Sequence, residues 1–324
     1  MTDTITATPP QTTTIELRPR YEGSNICTWI GFKHVNYLVE EGVLDHLRRT
    51  GIGARRLYEE HACCVDLVSI DTRILHAFHI DDLAIVEVRP NGRPDDTELS
   101  FAVTITVERA EGTVKAVTSK VRVALRRDER NGPGEPVPQL YRPYVVDRID
   151  RPAPEVVPLA GALNHGRGSS GGDPVLAQLT AGRNAFAWKW RIPYPYCHFT
   201  KRVQMSGYLR QMEEVVDLFL ADRGISIRTL LDDRDWIPVV PHSRIDFVGE
   251  AEMEEELYTV FTVEDVFKDV TYTARMDCYV IRDNALVLTA TGSITHGYAV
   301  IDNRRDWRLV NFDEPVLAAL RGNG

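Results

Sequence analysis

The chain has 324 residues and a mass of 36.6 kDa, a length that favours two domains or one duplicated domain. Of these residues 43% are apolar and 26% charged, and no apolar run approaches the roughly 20 residues of a membrane-spanning helix, so we expect no membrane partner. The net charge of -9, without a basic stripe interleaved with aromatic residues, argues against nucleic acid as a partner.

The first segment, residues 1–14, is rich in threonine and proline and has neither a basic nor an apolar stretch. We predict a disordered tail here and not a signal peptide. The five cysteines are odd in number and scattered, and none lies in a CxxC arrangement. We therefore expect reduced thiols, a cytoplasmic location and no bound metal.

Residues 15–127 form the first predicted repeat. An alternating strand over 14–21 precedes a helix that includes Tyr37 and ends at Gly51, and strands follow over 101–107 and 114–125. The order of strand, long helix and antiparallel strands predicts an α+β unit.

Residues 128–182 are predicted to be a linker, because eight of the eighteen prolines lie there together with glycine-rich runs. Residues 168–172 match the GxSxG nucleophile motif. That motif functions only between a strand and a helix, so we interpret this match as chance.

Residues 183–324 form the second predicted repeat, with the same order of elements. A strand over 185–194 precedes a helix with one apolar stripe that begins near Tyr208 and ends at Gly224, and strands follow over 257–263, 271–281 and 285–295. Two such units can join their sheets at an edge.

At this point the sequence resembles the hotdog superfamily in its double-hotdog form, over about residues 16–126 and 185–303. The segments 22–26 and 33–38 are similar to acyl-thioester hydrolases of the hydroxybenzoyl-coenzyme A and enediyne types, whereas 198–209 resembles hydroxyacyl-carrier-protein dehydratases. The resemblance implies an α+β double hotdog. Each repeat would have a long central helix packed on a curled antiparallel sheet, with the two sheets joined edge to edge.

The resemblance also implies a site. Aligning the repeats on Tyr37 and Tyr208 pairs Glu41 with Met212 and gives the first repeat two extra residues between strand and helix. Aligning the strands that precede these helices pairs Asn25 with His198. His198 and Glu41 are the expected catalytic residues. The equivalent pair, Asn25 with Met212, has neither an imidazole nor a carboxyl. The sequence therefore predicts one working site between the repeats.

Glu41 lies on the helical face of Tyr37, so we expect a buried carboxyl whose pKa is raised. Such an acid and an imidazole base suit the removal of an α-proton and the loss of a β-hydroxyl from a 3-hydroxyacyl thioester. Backbone amides near Gly207 or Asn36 would stabilise the enolate oxygen.

The remaining predicted substrate contacts are Asn25, Tyr208 and the adjacent Lys201 and Arg202. The basic pair could dock the phosphopantetheine phosphate or an acidic carrier protein; the alternative is an ordinary exposed pair.

The sequence leads to 3-hydroxyacyl-thioester dehydration, hydration or double-bond isomerisation in fatty-acid or polyketide-type metabolism. The substrate would be carried on coenzyme A or acyl carrier protein, with no separate cofactor and with a possible homodimer. The alternative is thioester hydrolysis, and a second alternative is a non-catalytic acyl-binding hotdog.

Overall fold

The computed structural model describes residues 11–93, 96–128, 130, 132–151, 156–159, 173–197 and 200–322. The chain divides into two compact units, Met1–Ile149 and Asp150–Gly324, and the boundary falls inside the segment predicted as a linker. No helix in these ranges has both the length and the apolar character needed to span a membrane.

The described residues of unit 1 form a sheet accompanied by two α-helices. Its strands lie in the order β1-β3-β4-β5-β2, all antiparallel, and β6 runs parallel to the end of β5. The elements are β1 (Thr13–Leu17), α1 (Phe32–Arg49), α2 (Ala54–His61), β2 (Cys63–Ile74), β3 (Ala84–Pro90), β4 (Leu99–Arg109), β5 (Gly112–Arg127) and β6 (Val145–Val146).

Helix α1 packs on this sheet through one apolar face. Val35, Val39 and Val43 recur at four-residue steps and are fully buried. Gly42 brings the helix close to the sheet, because a Cβ there would lie 2.6 Å from a methyl carbon of Val86. The period of the apolar residues thus fixes which side of α1 faces the sheet.

Unit 2 repeats this plan. Its strands lie in the order β9-β12-β11-β10-β8, again antiparallel, and β7 and β13 add to β12. The elements are β7 (Val157–Pro158), α3 (Pro174–Thr180), β8 (Ala185–Arg191), α4 (Met205–Asp222), α5 (Ile227–Arg234), β9 (Ile237–Phe247), β10 (Glu256–Phe267), β11 (Thr271–Arg282), β12 (Ala285–Asp302), β13 (Asp306–Leu309) and α6 (Glu314–Arg321).

Alternate residues of β10 separate the two faces of the second sheet. Thr259 accepts a hydrogen bond from Gln211 of α4 at 2.7 Å, and Phe261 packs against Phe219 of α4 at 5.1 Å between ring centroids. The alternate residues Tyr258 and Val260 belong to the core cluster that α3 covers. The sheet of unit 2 therefore has a helix on each face.

Helix α3 is held to the sheet by a buried ion pair. Asp173 caps the helix by accepting from the Val175 backbone N–H at 2.9 Å, and Lys189 of β8 lies 2.6 Å from the same carboxylate. Tyr258 donates its hydroxyl to this carboxylate at 3.0 Å. Residues within the segment predicted as a linker thus form part of the outer layer of unit 2.

Each unit has a long helix on an antiparallel sheet, which confirms the predicted α+β class and its repeat. The joining of the two sheets at an edge stays a prediction. Most of the predicted N-terminal tail, residues 1–10, lies outside the described residues, and β1 begins at Thr13.

Candidate active site

From the short 3-10 helix to the helix that follows the long one, equivalent residues of the two repeats are separated by a constant interval, with no insertion. Helices α1 and α4 each have 18 residues and begin 173 positions apart, at Phe32 and Met205. The same interval separates Gly51 from Gly224, which follow these helices with φ of 87° and 74°. It also separates the starts of α2 and α5 and of the 3-10 helices at Tyr21–Gly23 and Tyr194–Tyr196.

The predicted two-residue insertion is therefore wrong. Tyr37 is the sixth residue of its helix and Tyr208 is the fourth of its own, so aligning the tyrosines displaced the repeats by two positions. The counterpart of Glu41 is Glu214, and that of Met212 is Val39. The pairing of Asn25 with His198 keeps the 173-residue interval.

Both long helices carry two adjacent glutamates at their ninth and tenth positions. These are Glu40 and Glu41 in α1, and Glu213 and Glu214 in α4. A signal for them is present in the sequence, because each Glu-Glu pair ends ten residues before a Gly-Ile pair. The acid pair is thus a feature of both repeats.

Glu40, which the sequence analysis missed, is the perturbed acid of α1. The expected burial of Glu41 is wrong, since its side chain is exposed, whereas Glu40 is partly buried. Burial, and after it the negative charge of Glu41, together raise the pKa of Glu40 to about 7. Near neutral pH Glu40 can therefore both accept and release a proton.

Glu214 is the perturbed acid of α4. Partial burial raises the pKa of Glu214, a hydrogen bond from the Tyr196 hydroxyl lowers it, and the charge of Asp217 raises it; the result lies above the usual value. The Tyr196 hydroxyl lies 3.5 Å from Oε2 of Glu214. The second acid pair thus has a phenol beside it.

The loop that carries Asn25 folds back on the start of α1. The Gly31 N–H donates to the Gly23 carbonyl at 2.9 Å, and Gly23 abuts the His34 ring, since a Cβ there would lie 2.6 Å from His34 Cγ. Asn25 donates its backbone N–H to Trp29 at 2.6 Å, and its side-chain oxygen accepts from the Ile26 N–H at 2.9 Å. The structure therefore holds the loop of Asn25 at the first turn of α1.

In unit 2 the glycine of the equivalent contact lies on the helix and not on the loop. Tyr196 stands 173 positions after Gly23, and Gly207 stands 173 positions after His34. A Cβ on Gly207 would lie 2.9 Å from the Tyr196 carbonyl oxygen. In unit 1 the glycine lies on the loop and faces a ring on the helix, whereas in unit 2 the glycine lies on the helix and faces the backbone of Tyr196 on the loop.

Asn36 and Tyr208, both predicted substrate contacts, lie in the interior of their units. Asn36 donates to the Phe32 carbonyl at 3.0 Å and accepts from the Thr72 hydroxyl at 2.7 Å. Tyr208 donates to the Thr289 hydroxyl at 3.1 Å, and burial raises its pKa far above the usual value. Both polar groups tie a long helix to its sheet.

The predicted free amides at Gly207 and Asn36 are a second correction. The Gly207 N–H donates to the Gln204 carbonyl at 2.9 Å, and Asn36 lies in the second turn of α1, where the backbone N–H is used by the helix. In α1 the first N–H bonded within the helix is that of His34, to Gly31 at 3.0 Å. The amide of Phe32, ahead of it, points out of the helix end.

Of the two predicted docking residues, only Lys201 is at the surface. Its amine lies 2.7 Å from Glu252. Arg202 is 5% exposed, and its guanidinium lies 4.0 Å from the equally buried Glu250, so the expectation of an exposed basic pair is wrong for Arg202. His198 and the GxSxG match at 168–172 lie outside the described residues.

The comparisons with known proteins agree with this architecture. Residues 194–320 match the family model of the Thioesterase-like superfamily. In structure, the chain is similar to an acyl-ACP thioesterase from Bacteroides thetaiotaomicron, with a TM-score of 0.52 and 12% identity over 88% of this chain and 97% of that one. It is also similar to the 12:0-ACP thioesterase from Umbellularia californica, with a TM-score of 0.55 and 9% identity over 92% and 98% of the two chains.

The chain is a double hotdog. The search of curated proteins found no match to the sequence of this chain. The family model that matches its second unit is a thioesterase-like one, and the dehydratase resemblance of residues 198–209 finds no support in it. The comparisons therefore favour thioester hydrolysis, the alternative of the sequence analysis, over dehydration.

Proposed function

We propose that this double hotdog hydrolyses acyl thioesters carried on coenzyme A or on acyl carrier protein. The observation that carries the proposal is the match of residues 194–320 to the Thioesterase-like superfamily. The acid pair at the same position of both long helices supports it, because water needs a base in order to attack a thioester.

Glu40 is the proposed base. Its carboxylate takes a proton from water while the water oxygen bonds to the thioester carbonyl carbon. The carbon–sulfur bond then breaks and the sulfur receives a proton, which gives a free thiol and a carboxylic acid. Because the pKa of Glu40 lies at about 7, its carboxylate is populated near neutral pH and is more basic than an ordinary one.

The amino-terminal end of α1 is the proposed site for the negative oxygen of the tetrahedral intermediate. The amide of Phe32 precedes the first N–H bonded within the helix, and the helix dipole places positive charge at this end. The loop of Asn25 lies against the same turn. We propose that Asn25 orients the acyl group there.

Lys201 is the proposed contact for the phosphate of the carrier. Its amine is exposed, but Glu252 at 2.7 Å competes for it. This contact contributes to carrier binding and not to the chemical step, so Lys201→Ala is expected to raise KM at low salt with little change in kcat.

The deciding experiment follows acyl-coenzyme A and acyl carrier protein substrates of several chain lengths with a thiol reagent and with mass spectrometry. We expect free thiol release, lost in Glu40→Gln and kept in Glu111→Gln, which removes an exposed carboxylate in a turn of unit 1. A mass change of about 18 units with the thioester intact would instead indicate dehydration or hydration. An unchanged substrate with saturable binding would indicate an acyl-binding protein.

A further inference from the structure

The loop that carries Asn25, residues 24–31, leads directly into α1 and lies against a second loop of unit 1, residues 75–83, which we call the brace loop. Two backbone hydrogen bonds join these loops. They run from the Ile30 N–H to the Phe78 carbonyl at 2.8 Å and from the Ile80 N–H to the Thr28 carbonyl at 3.0 Å. The position of the Asn25 loop therefore depends on what holds the brace loop.

An arginine–carboxylate clamp holds the brace loop. Arg109, the last residue of β4, donates to both carboxylate oxygens of Asp82, each at 2.7 Å, and to the Ala77 carbonyl at 2.8 Å. Asp82 also accepts from the His79 N–H at 2.8 Å. The side chains of Arg109 and Asp82 are only 24% and 14% exposed, so water screens this pair less than a surface pair.

Unit 2 has the same clamp 173 residues further on. Arg282, the last residue of β11, donates to both oxygens of Glu255, at 3.0 and 2.8 Å, and to the Glu250 carbonyl at 2.7 Å. Glu255 also accepts from the Glu252 N–H at 2.7 Å. The equivalent bonds between the loops run from Val203 to Ala251 at 2.9 Å and from Met253 to Lys201 at 2.7 Å.

The side chains that meet across the two loops differ between the units. In unit 1 Thr28 Oγ1 lies 3.0 Å from His79 Nδ1. The equivalent residues of unit 2, Lys201 and Glu252, form an ion pair at 2.7 Å. The repeats thus share the clamp and the backbone bonds that it supports, and not the side-chain pair beside them.

We propose that Arg109 is a positioning residue for thioester hydrolysis, acting through Asp82 and the brace loop. This inference rests on the proposed function, because the groups that the loops place are Asn25 and the amide of Phe32. A displacement of about 1 Å in such groups can cost about 100-fold in rate. Lysine keeps the charge of Arg109 but lacks its planar fork, so it cannot hold both carboxylate oxygens and the Ala77 carbonyl in one geometry.

The kinetic test compares Arg109→Lys with Arg122→Lys, which changes a β5 arginine paired with Glu98 at 3.2 Å, away from the brace loop. In Arg109→Lys we expect kcat for thiol release to fall by about tenfold or more, with KM within about threefold of the parent. Arg122→Lys should stay near the parent protein.

Two further variants keep this test independent of one substitution. Asp82→Asn still offers an acceptor to the His79 N–H but loses the charged pair, and its kcat should fall as in Arg109→Lys. Combining Arg109→Lys with Asn25→Ala should cost less than the product of the two separate losses, because both changes act on one loop.

Hydrogen exchange of the full-length protein, followed by mass spectrometry, tests the positioning without substrate. Arg109→Lys should speed exchange over residues 24–31 and 75–83 and leave α2 as in the parent. Arg282→Lys should speed it over residues 200–204 of unit 2 and leave unit 1 unchanged.

The proposal is overturned if Arg109→Lys exchanges like the parent, or if exchange rises while kcat stays the same, since the clamp would then serve the fold alone. A parent protein that releases no thiol would contradict the proposed function. The exchange over residues 24–31 then decides by itself whether Arg109 positions the Asn25 loop.

Discussion

Adjacent glutamates on α1 have different environments because successive helical residues point about 100° apart. Glu41 is exposed, whereas Glu40 is partly buried and has its pKa raised to about 7. The charge of Glu41 contributes to that rise. Glu41 therefore tunes the base that we propose, without being that base.

Removing the charge of Glu41 tests this coupling. In Glu41→Gln we expect the acidic limb of kcat/KM against pH to move to lower pH, because the pKa of Glu40 is no longer raised by the charge of Glu41. Glu111→Gln should leave the limb in place. A limb that does not move in Glu41→Gln would show that Glu40 is not the group whose ionisation controls the rate.

The same residue makes a prediction about stability that needs no substrate. An acid whose pKa is about 7 when folded and 4.5 when unfolded takes up protons on folding. The stability it contributes is present at low pH and is lost as pH rises from 4.5 towards 7, by at most about 1.4 kcal/mol per pH unit.

Glu40→Gln removes that loss. Its free energy of unfolding in urea, minus that of the parent protein, should increase between pH 5 and pH 7.5. Glu111→Gln is again the control. A difference independent of pH would mean that Glu40 ionises in the folded protein as it does in the unfolded chain.

Glu40 was within reach of sequence analysis, but the choice of alignment residue hid it. Tyrosines occur in both long helices at unequal positions, whereas the Glu-Glu pairs and the following Gly-Ile pairs agree. The buried bonds of Asn36 and Tyr208 are different. They depend on Thr72 and Thr289, strand residues far away in sequence, and no local pattern indicates such partners.

At the scale of elements, apolar periodicity predicted the long helices but not their first residues. Helix α1 begins at Phe32 after Gly31, and α4 begins at Met205 after Gln204; neither preceding residue caps its helix with a side chain. Helix α3 was hidden by the proline-rich composition around it. Its start does carry a signal, because Asp173 is a helix cap and Pro174 suits the first turn.

The ion pair beneath α3 tests whether this helix is part of the folded unit. Lys189→Met leaves the Asp173 carboxylate buried without its 2.6 Å cation, and we expect a loss of about 3 kcal/mol in the free energy of unfolding. The double variant Asp173→Asn with Lys189→Met should recover part of that loss, since asparagine can still cap α3.

Urea denaturation measures both effects, with Lys115→Met, at an exposed position of β5, as the control. If Lys189→Met were no more destabilised than Lys115→Met, α3 would not be fastened to the sheet by this pair.

At the scale of the whole molecule, the duplication preserved the acid pair and changed what surrounds it. In unit 1 the start of the helix carries the imidazole of His34, 3.4 Å from Glu22. In unit 2 the loop carries Tyr196, whose hydroxyl lies beside Glu214. The glycine of this contact lies on the loop in unit 1 and on the helix in unit 2, and the acid pair of unit 2 has a phenol beside it.

We expect the two acid pairs to be unequal in catalysis. Glu40→Gln should lower thioester hydrolysis by about 100-fold or more, because removal of a positioned base costs about 10² to 10⁴ in rate. Glu214→Gln should cost less than about tenfold, because Glu214 is more exposed than Glu40 and its hydrogen bond from Tyr196 offsets part of the rise in pKa that burial causes.

The double variant identifies the source of any remaining rate. If unit 2 supplies the activity left in Glu40→Gln, adding Glu214→Gln abolishes that remainder, whereas it changes the parent rate only slightly. Steady-state rates of the parent, both single variants and the double variant at one pH are sufficient for this comparison. Equal losses in the two single variants would mean that the sites are equivalent, and that the different neighbours of Glu40 and Glu214 have no effect on the chemical step.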